Sequence, residues 1–361
     1  MLFEGESIWH NDGMKGICFQ GIEKVSYVDV AEPQIESPTD VIVSVSMAGL
    51  CGSDLHPFFG REAGLDLGTV MGHELVGEIV EVGNEVQDFV SGDRVFAPFS
   101  TCCGKCFYCL QGLTSRCVAG QLFGWREGGA GLHGGQSELV RVPLADGSLM
   151  KLKDGVSDEA ALLLGDNFST GFYCAEMAGV QPGGIYAVVG CGTVGQLCIL
   201  AAFSMGAEEV FAFDLVPQRR QQAEKLGAIG LEPNASGIAT VKKATGGRGA
   251  DAVMELVGLP PAQELAIQLI RPGGTMSVIG CHCTPNFSFS PADAYDKNLI
   301  YKTGRCPARH YMGLLTDRVA SGEFELDAFV THRFSAEDCV RAYEVFSGQL
   351  DGCTKAIVEF A

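Results

Sequence analysis

The chain has 361 residues, 47% hydrophobic and 19% charged, with a formal charge of −19. That length is too great for one ordinary core and predicts two domains, while the apolar content excludes wholesale disorder. The acidic balance argues against nucleic acid and anionic membrane surfaces as partners, because both are gripped by clustered Lys and Arg.

Met1 to Asp12 reads as a weakly ordered extension without the basic start and apolar core of a secretory signal, and no apolar run approaches about 18 residues. A cytoplasmic location is expected, where the 15 cysteines serve as reduced thiols or metal ligands rather than as a disulfide framework. The 48 glycines predict many tight turns and close backbone approaches.

In chain order, Lys24 to Val30 and Val41 to Val45 alternate as strands, with Pro33 and Pro38 in the loop between them. Val76 to Val82 and Asp93 to Phe96 continue this pattern, so the first part of the chain is expected to form a small, curved antiparallel sheet or partial barrel. Between these strands lie Cys51-Gly52-Ser53-Asp54-Leu55-His56 and Gly72-His73-Glu74. They offer a thiolate, imidazoles and a carboxylate, which are zinc-ligand types. Cys51 and His73 are read as ligands of a zinc with an open position. Taken alone, the same residues also fit a buried inert thiol and a hydrogen-bonded loop histidine.

Next comes Cys103, Cys106, Cys109 and Cys117, spaced Cys-x2-Cys-x2-Cys-x7-Cys. Four thiolates at such intervals can wrap a tetrahedral zinc, which would stabilise a lobe but leave no corner for substrate. A disulfide pair and an iron-sulfur cluster are the alternatives; the ferredoxin spacing has a shorter last gap followed by proline. Cys102 is left without a role.

The pattern changes after a strand that runs into Pro143. Asp158 to Leu164 starts a helix, Asp166-Asn167-Phe168-Ser169-Thr170-Gly171 interrupts it, and a second helical run extends through Ala178. Gly184 to Val189 is a strand leading into Gly190-Cys191-Gly192-Thr193-Val194-Gly195, then a helix to Met205 and a strand Val210 to Phe213 ending in Asp214. A Gly-x-Gly-x-x-Gly between strand and helix, with an acid nineteen residues beyond its last glycine, is the dinucleotide fingerprint. The glycines admit the pyrophosphate to a helix N-terminus, which lets an acidic chain hold phosphates. Asp214 would bind the ribose hydroxyls and repel a 2'-phosphate, favouring NAD; Arg219 and Arg220 are the cations that could accommodate NADP. Asp251 to Val257, Ala262 to Ile270 and Thr275 to Ile279 extend the parallel α/β pattern, the last two joined by Pro272-Gly273-Gly274. Helices are expected at Tyr311 to Ala320 and Ala336 to Phe346. Ala328 to Phe334 reads as extended, and Lys355 to Phe360 as a last strand returning to the first lobe.

Together these motifs resemble the zinc-dependent medium-chain alcohol dehydrogenases over nearly the whole chain from Met14. The resemblance implies an α/β fold: a β-rich GroES-like catalytic domain (1–166 and 305–361) and a doubly wound Rossmann NAD-binding domain (167–304). It implies two zinc ions per chain. Asp166 stands where the family has its third catalytic ligand, and Glu74 where a carboxylate binds the metal or sits just outside it. Asp54 resembles a partner of a ligand imidazole. Ser53 resembles the hydroxyl that takes the substrate proton, and His56 the group that releases it near its ordinary pKa of about 6.5. Thr170 would pack against the nicotinamide. Lys355 matches a cation that reaches the cofactor phosphates, the more needed because Gly52 replaces a basic contact of some members.

The implied activity is hydride transfer between an alcohol and NAD. Phe58, Phe99, Phe123 and Trp125 suggest an apolar pocket, with the hard-to-align segment Gly120 to Gly135 shaping it. A dismutating or polyol-oxidising relative, or a nucleotide-binding protein without chemistry, are the alternatives. A homodimer or homotetramer is expected, with Asn286-Phe287-Ser288-Phe289 as part of the contact.

Overall fold

The computed structural model describes residues 13–284 and 286–360; the expected extension Met1 to Asp12 lies outside them. A seven-stranded sheet runs in the order His332–Ser335, Ala356–Glu359, Val41–Leu50, Leu75–Val82, Arg94–Phe96 and Met150–Lys151, with Leu139–Val142 also paired to Val41–Leu50. All its pairings are antiparallel except the one between His332–Ser335 and Ala356–Glu359. Val41–Leu50 is the strand around which this lobe is built. Its register shifts at Ile42/Val43 and Val45/Met47 against Leu75–Val82, and such bulges bend a sheet.

The second sheet has six parallel strands in the order Ile229–Leu231, Glu209–Phe213, Ile185–Val189, Ala250–Glu255, Ile270–Val278 and Ile300–Thr303. This is the doubly wound arrangement, in which the chain reverses direction of travel at Ile185–Val189 and opens a crevice at the strands' carboxyl ends. Its interior residues, including Ala187, Val188, Phe211, Phe213 and Val253, are fully buried, as expected of a sheet covered on both faces.

One apolar cluster crosses between the two sheets. Met47, Val76, Phe96 and Phe99 pack with Leu162, Leu163 and Phe168, which in turn pack with Val188, Leu197 and Met312. The helices Asp158–Gly165 and Asn167–Ala178 therefore carry the contact between the lobes. Gly171 makes the packing close: a methyl there would meet the Cys198 backbone nitrogen at 2.7 Å.

Three details depart from the sequence reading. The interruption at 166–171 is one residue long: Asp166, at φ −143° and ψ −74°, separates the two helices, and the second starts at Asn167. Pro272-Gly273-Gly274 lies within the strand Ile270–Val278, where the register shifts, and does not form a separate connection. Ala328 to Phe334 is extended only from His332; a short 3-10 turn occupies Asp327–Phe329.

Candidate active site

Two neighbouring strands deliver the first ligand candidates. Cys51 follows Val41–Leu50 directly, and His73-Glu74 immediately precede Leu75–Val82. The Gly49 N–H donates to the Glu74 carbonyl at 3.1 Å, which sets the two strand ends side by side. Glycine is required at 49, because a Cβ would lie 1.9 Å from Glu74 Oε2. Asp166, at the break between the two inter-lobe helices, closes the group. One ligand atom from each of Cys51, His73, Glu74 and Asp166 lies within 4.8 Å of the others.

The geometry suits a metal. Cys51 Sγ is 3.2 Å from Asp166 Oδ2, and His73 Nε2 is 3.6 Å from the same oxygen. Tetrahedral zinc with bonds of about 2.0–2.3 Å sets its ligand atoms about 3.3–3.8 Å apart. Asp54 Oδ1 contacts His73 Nδ1 at 3.1 Å, which leaves Nε2 facing the group. The other Asp54 oxygen accepts the Cys51 N–H at 2.9 Å, so Asp54 orients two candidate ligands at once. Ser53 Oγ lies 3.2 Å from both Cys51 Sγ and His73 Nε2, on the exposed side.

The electrostatics fit a cation-binding position. Burial, reinforced by the Asp166 carboxylate, pushes the Cys51 thiol up to about 11. Burial works against a charged His73, yet the Asp54 and Asp166 carboxylates hold its pKa well above 6.5. Asp166 falls to about 2 despite its burial, mainly through its hydrogen bond and attraction to His73. A proton on His73 thus balances the buried carboxylates, and a divalent ion would take its place.

Glu74 is completely buried, and both its oxygens are occupied. Lys355 Nζ pairs with Oε2, and Asn167 Nδ2 donates to Oε1 at 2.9 Å. Lys355 is 1% exposed and also donates to the Leu50 carbonyl at 3.1 Å. This corrects the expectation that Lys355 reaches the cofactor phosphates: a buried ammonium needs a carboxylate, and Glu74 supplies it. Lys355 is therefore not free to take over the phosphate contact that Gly52 lacks.

Other candidates are also relocated. Thr170 Oγ1 donates to Asp166 Oδ1 at 3.1 Å, so its hydroxyl orients a carboxylate. His56 is buried, and burial, followed by the nearby Arg61, lowers its pKa from the ordinary value of 6.5 expected for it. Its Nδ1 lies 3.7 Å from Cys283 Sγ, a residue of the other lobe. Phe99 sits edge-on to His73, with centroids 6.5 Å apart. Phe58 and Phe123 belong instead to the core of the β-rich lobe. Trp125 opens a two-stranded hairpin, Trp125–Glu127 with Ala130–Leu132, within the segment Gly120 to Gly135.

Cys103, Cys106, Cys109 and Cys117 form the second convergent group. The Cys103 N–H donates to Cys117 Sγ at 3.2 Å and the Cys106 N–H to Cys103 Sγ at 3.3 Å, the backbone donation that thiolate ligands accept. The four thiols have no disulfide partners. Cys102 stands apart: its thiol donates to the Gly147 carbonyl at 3.0 Å.

At the nucleotide crevice, Gly190 takes φ +94°, and a Cβ on Gly195 would meet the Gly190 carbonyl oxygen at 1.9 Å. Gly192 caps the helix Thr193–Ser204, in which Val194 is the second residue. Thr193 Oγ1 donates to the Thr354 carbonyl at 2.6 Å, tying the loop to the catalytic lobe. Asp214 accepts the N–H groups of Cys191 and Val216, each at 2.8 Å. Arg219 lies 3.9 Å from it, with a buried Nε that has no partner. Arg220 turns away to the carbonyls of Asp214 and Leu215.

Sequence reading missed Asn167 and Gln136. The Gln136 amide donates to the Gly49 carbonyl at 3.0 Å and accepts from Tyr343 at 2.9 Å. The only local signal was the position of Asn167 next to Asp166.

Among the described residues no helix is long and apolar enough to cross a membrane. Residues 37–154 match the alcohol dehydrogenase GroES-like domain, and 193–312 the zinc-binding dehydrogenase domain. Zinc-type alcohol dehydrogenase B of Aspergillus flavus is 38% identical over 343 residues, covering 92% of this chain and 79% of that one. The NADP-dependent isopropanol dehydrogenase of Clostridium beijerinckii is 31% identical over 333 residues, covering 90% and 93%. Alcohol dehydrogenase TADH from Thermus sp. ATN1 superposes with a TM-score of 0.89 at 33% identity, covering 96% of this chain and 99% of its own. The chain belongs to the zinc-dependent medium-chain alcohol dehydrogenases, a family of oxidoreductases acting on small molecules.

Proposed function

We propose that the chain transfers a hydride between an apolar primary or secondary alcohol and NAD, giving the aldehyde or ketone. The observation that carries this is the convergence of Cys51, His73 and Asp166 beside an exposed Ser53, with Asp54 fixing the His73 tautomer. These residues would hold a catalytic zinc, which when bound acidifies a substrate hydroxyl and polarises a carbonyl. Cys103, Cys106, Cys109 and Cys117 would hold a second, structural ion.

Ser53 accepts the substrate's hydroxyl proton, and His56 is the acceptor nearer the lobe boundary. Asp54 and Thr170 act on ligand orientation and do not touch substrate. Phe99, packed against His73, gives one wall no partner for a polyol's hydroxyls, which supports apolar substrates. Asp214 supports NAD, whereas the unpartnered Arg219 Nε is the feature that would favour a 2'-phosphate. The reading includes the catalytic lobe 1–166 and 305–361 and the cofactor lobe 167–304. It also includes a homodimer or homotetramer joined along the exposed edge strand Ile300–Thr303, where Phe287, Phe289 and Tyr301 cluster.

A panel of alcohols and carbonyls assayed with NAD and NADP forms in parallel tests the activity. Aliphatic or aromatic alcohols oxidised with NAD are the expected result; faster turnover of polyols, or turnover without net NADH, would replace this reading. Metal analysis should find two zinc ions per chain, and light scattering should give two or four chains per particle.

A further inference from the structure

Asn167 is 1% exposed, and its amide nitrogen uses both hydrogens on carboxylates. One goes to Glu74 Oε1 at 2.9 Å and the other to Asp166 Oδ2 at 2.9 Å. That Asp166 oxygen is the one that approaches Cys51 Sγ and His73 Nε2. Thr170 holds the other Asp166 oxygen, and Lys355 holds the other oxygen of Glu74. The amide oxygen of Asn167, by contrast, is buried without a partner. An unmet buried acceptor is unfavourable, so what this side chain contributes lies in its two N–H groups.

Glu74 and Asp166 present two buried carboxylates to one site, and each could reach an ion placed between them. We propose that Asn167 is a positioning residue that holds Glu74 outside the metal's ligand sphere while presenting Asp166 Oδ2 to it. Three protein atoms then bind the ion and the fourth corner stays open, the condition for a Lewis-acidic rather than a saturated site. The inference rests on the zinc reading above and concerns which of four convergent side chains are ligands. Losing the amide frees Glu74 Oε1 while Lys355 still holds Oε2, so the freed oxygen is the one that can turn to the ion.

Cobalt(II) reports coordination number through the intensity of its visible bands, which are strong for four ligands and weaker for five. Asn167→Leu keeps the shape without the donors, and Asn167→Ser is a smaller second variant should the first not fold. Subtracting the spectrum of the Cys51→Ser counterpart of each protein isolates the ion at this site. The parent protein should show strong four-coordinate bands, and both Asn167 variants a loss of intensity. Adding Glu74→Gln to Asn167→Leu should restore the parent spectrum, because a neutral amide is a poor ligand. A parent spectrum in both single variants, or no recovery in the double variant, overturns the proposal. Absence of any thiolate charge-transfer band in the parent would instead remove the zinc reading itself, and this inference with it.

Discussion

Lys355 forms a buried ion pair with Glu74, a residue 281 positions earlier in the chain, inside the wall of the candidate metal site. Two consequences follow from how well each charge is hidden. Breaking a buried pair by removing one partner leaves the other charge uncompensated, at a cost of about 3–5 kcal/mol. Lys355→Met should therefore destabilise the protein by about that amount. Lys355→Met with Glu74→Leu should recover much of the loss, since an apolar pair of similar volume often replaces an ion pair without penalty. Chemical denaturation of the two single variants and the double variant measures the coupling. Single variants that unfold at the parent's denaturant midpoint would show that the pair is not formed in solution.

The four-cysteine lobe makes a separate prediction. Four sulfurs converge there with backbone N–H groups aimed at two of them, and no substrate-sized opening is needed for their role. Cys106→Ser should reduce the zinc content from two ions to one per chain and lower the melting temperature, since structural zinc binding contributes directly to folding. Retention of both ions would assign the lobe another function.

Asp214 carries two loads. It caps the Cys191 and Val216 N–H groups that shape the glycine loop, and it would face the adenosine ribose. Loss of a charged hydrogen-bonding group costs about 1.5–3 kcal/mol, or roughly 10- to 100-fold in KM for NAD. Asp214→Ala should raise that KM by this factor and narrow the preference over NADP, because the repelling charge is gone while Arg219 remains. Parallel steady-state assays with both cofactors read the change. An unchanged cofactor ratio would remove Asp214 from the discrimination.

The parts of this site that could be read from sequence are those written in local spacing. The four cysteines span Cys103 to Cys117, and the glycine loop spans Gly190 to Gly195, so turn geometry alone restricts what they can do. Sheet class was equally accessible: continuous apolar runs such as Tyr186 to Val189 need two covered faces. Lys355 and Asn167 were not legible, because each acquires its role from a partner far along the chain, 281 residues in one case and 93 in the other. Nothing near Lys355 distinguishes a buried ammonium from a surface one until the strand Ala356–Glu359 pairs with Val41–Leu50. Phe58 and Phe123 failed for the converse reason: aromatic character does not say whether a ring faces a cleft or the interior, and both face the interior.

His56 should link pH to both stability and turnover. Its burial, then the neighbouring Arg61, lower the folded-state pKa below 6.5, with Asp54 acting in the opposite direction. Below about pH 6.5 the unfolded chain then binds more protons at this position than the folded one. The stabilising contribution of the neutral ring is complete above that pH and is lost as the solution is acidified toward the folded pKa. The same displacement keeps the imidazole able to accept a proton in mildly acidic solution. Arg61→Met keeps an unbranched side chain and removes the charged guanidinium that lies over the Phe59 ring. The His56 pKa should rise, so the acid limb of the kcat profile should move to higher pH, and acidification should cost less stability than in the parent. A pH-rate series together with melting temperatures across the same range tests both directions at once. If the limb stays in place while NMR titration shows the His56 pKa rising, His56 does not govern turnover, and the proton leaves by another group.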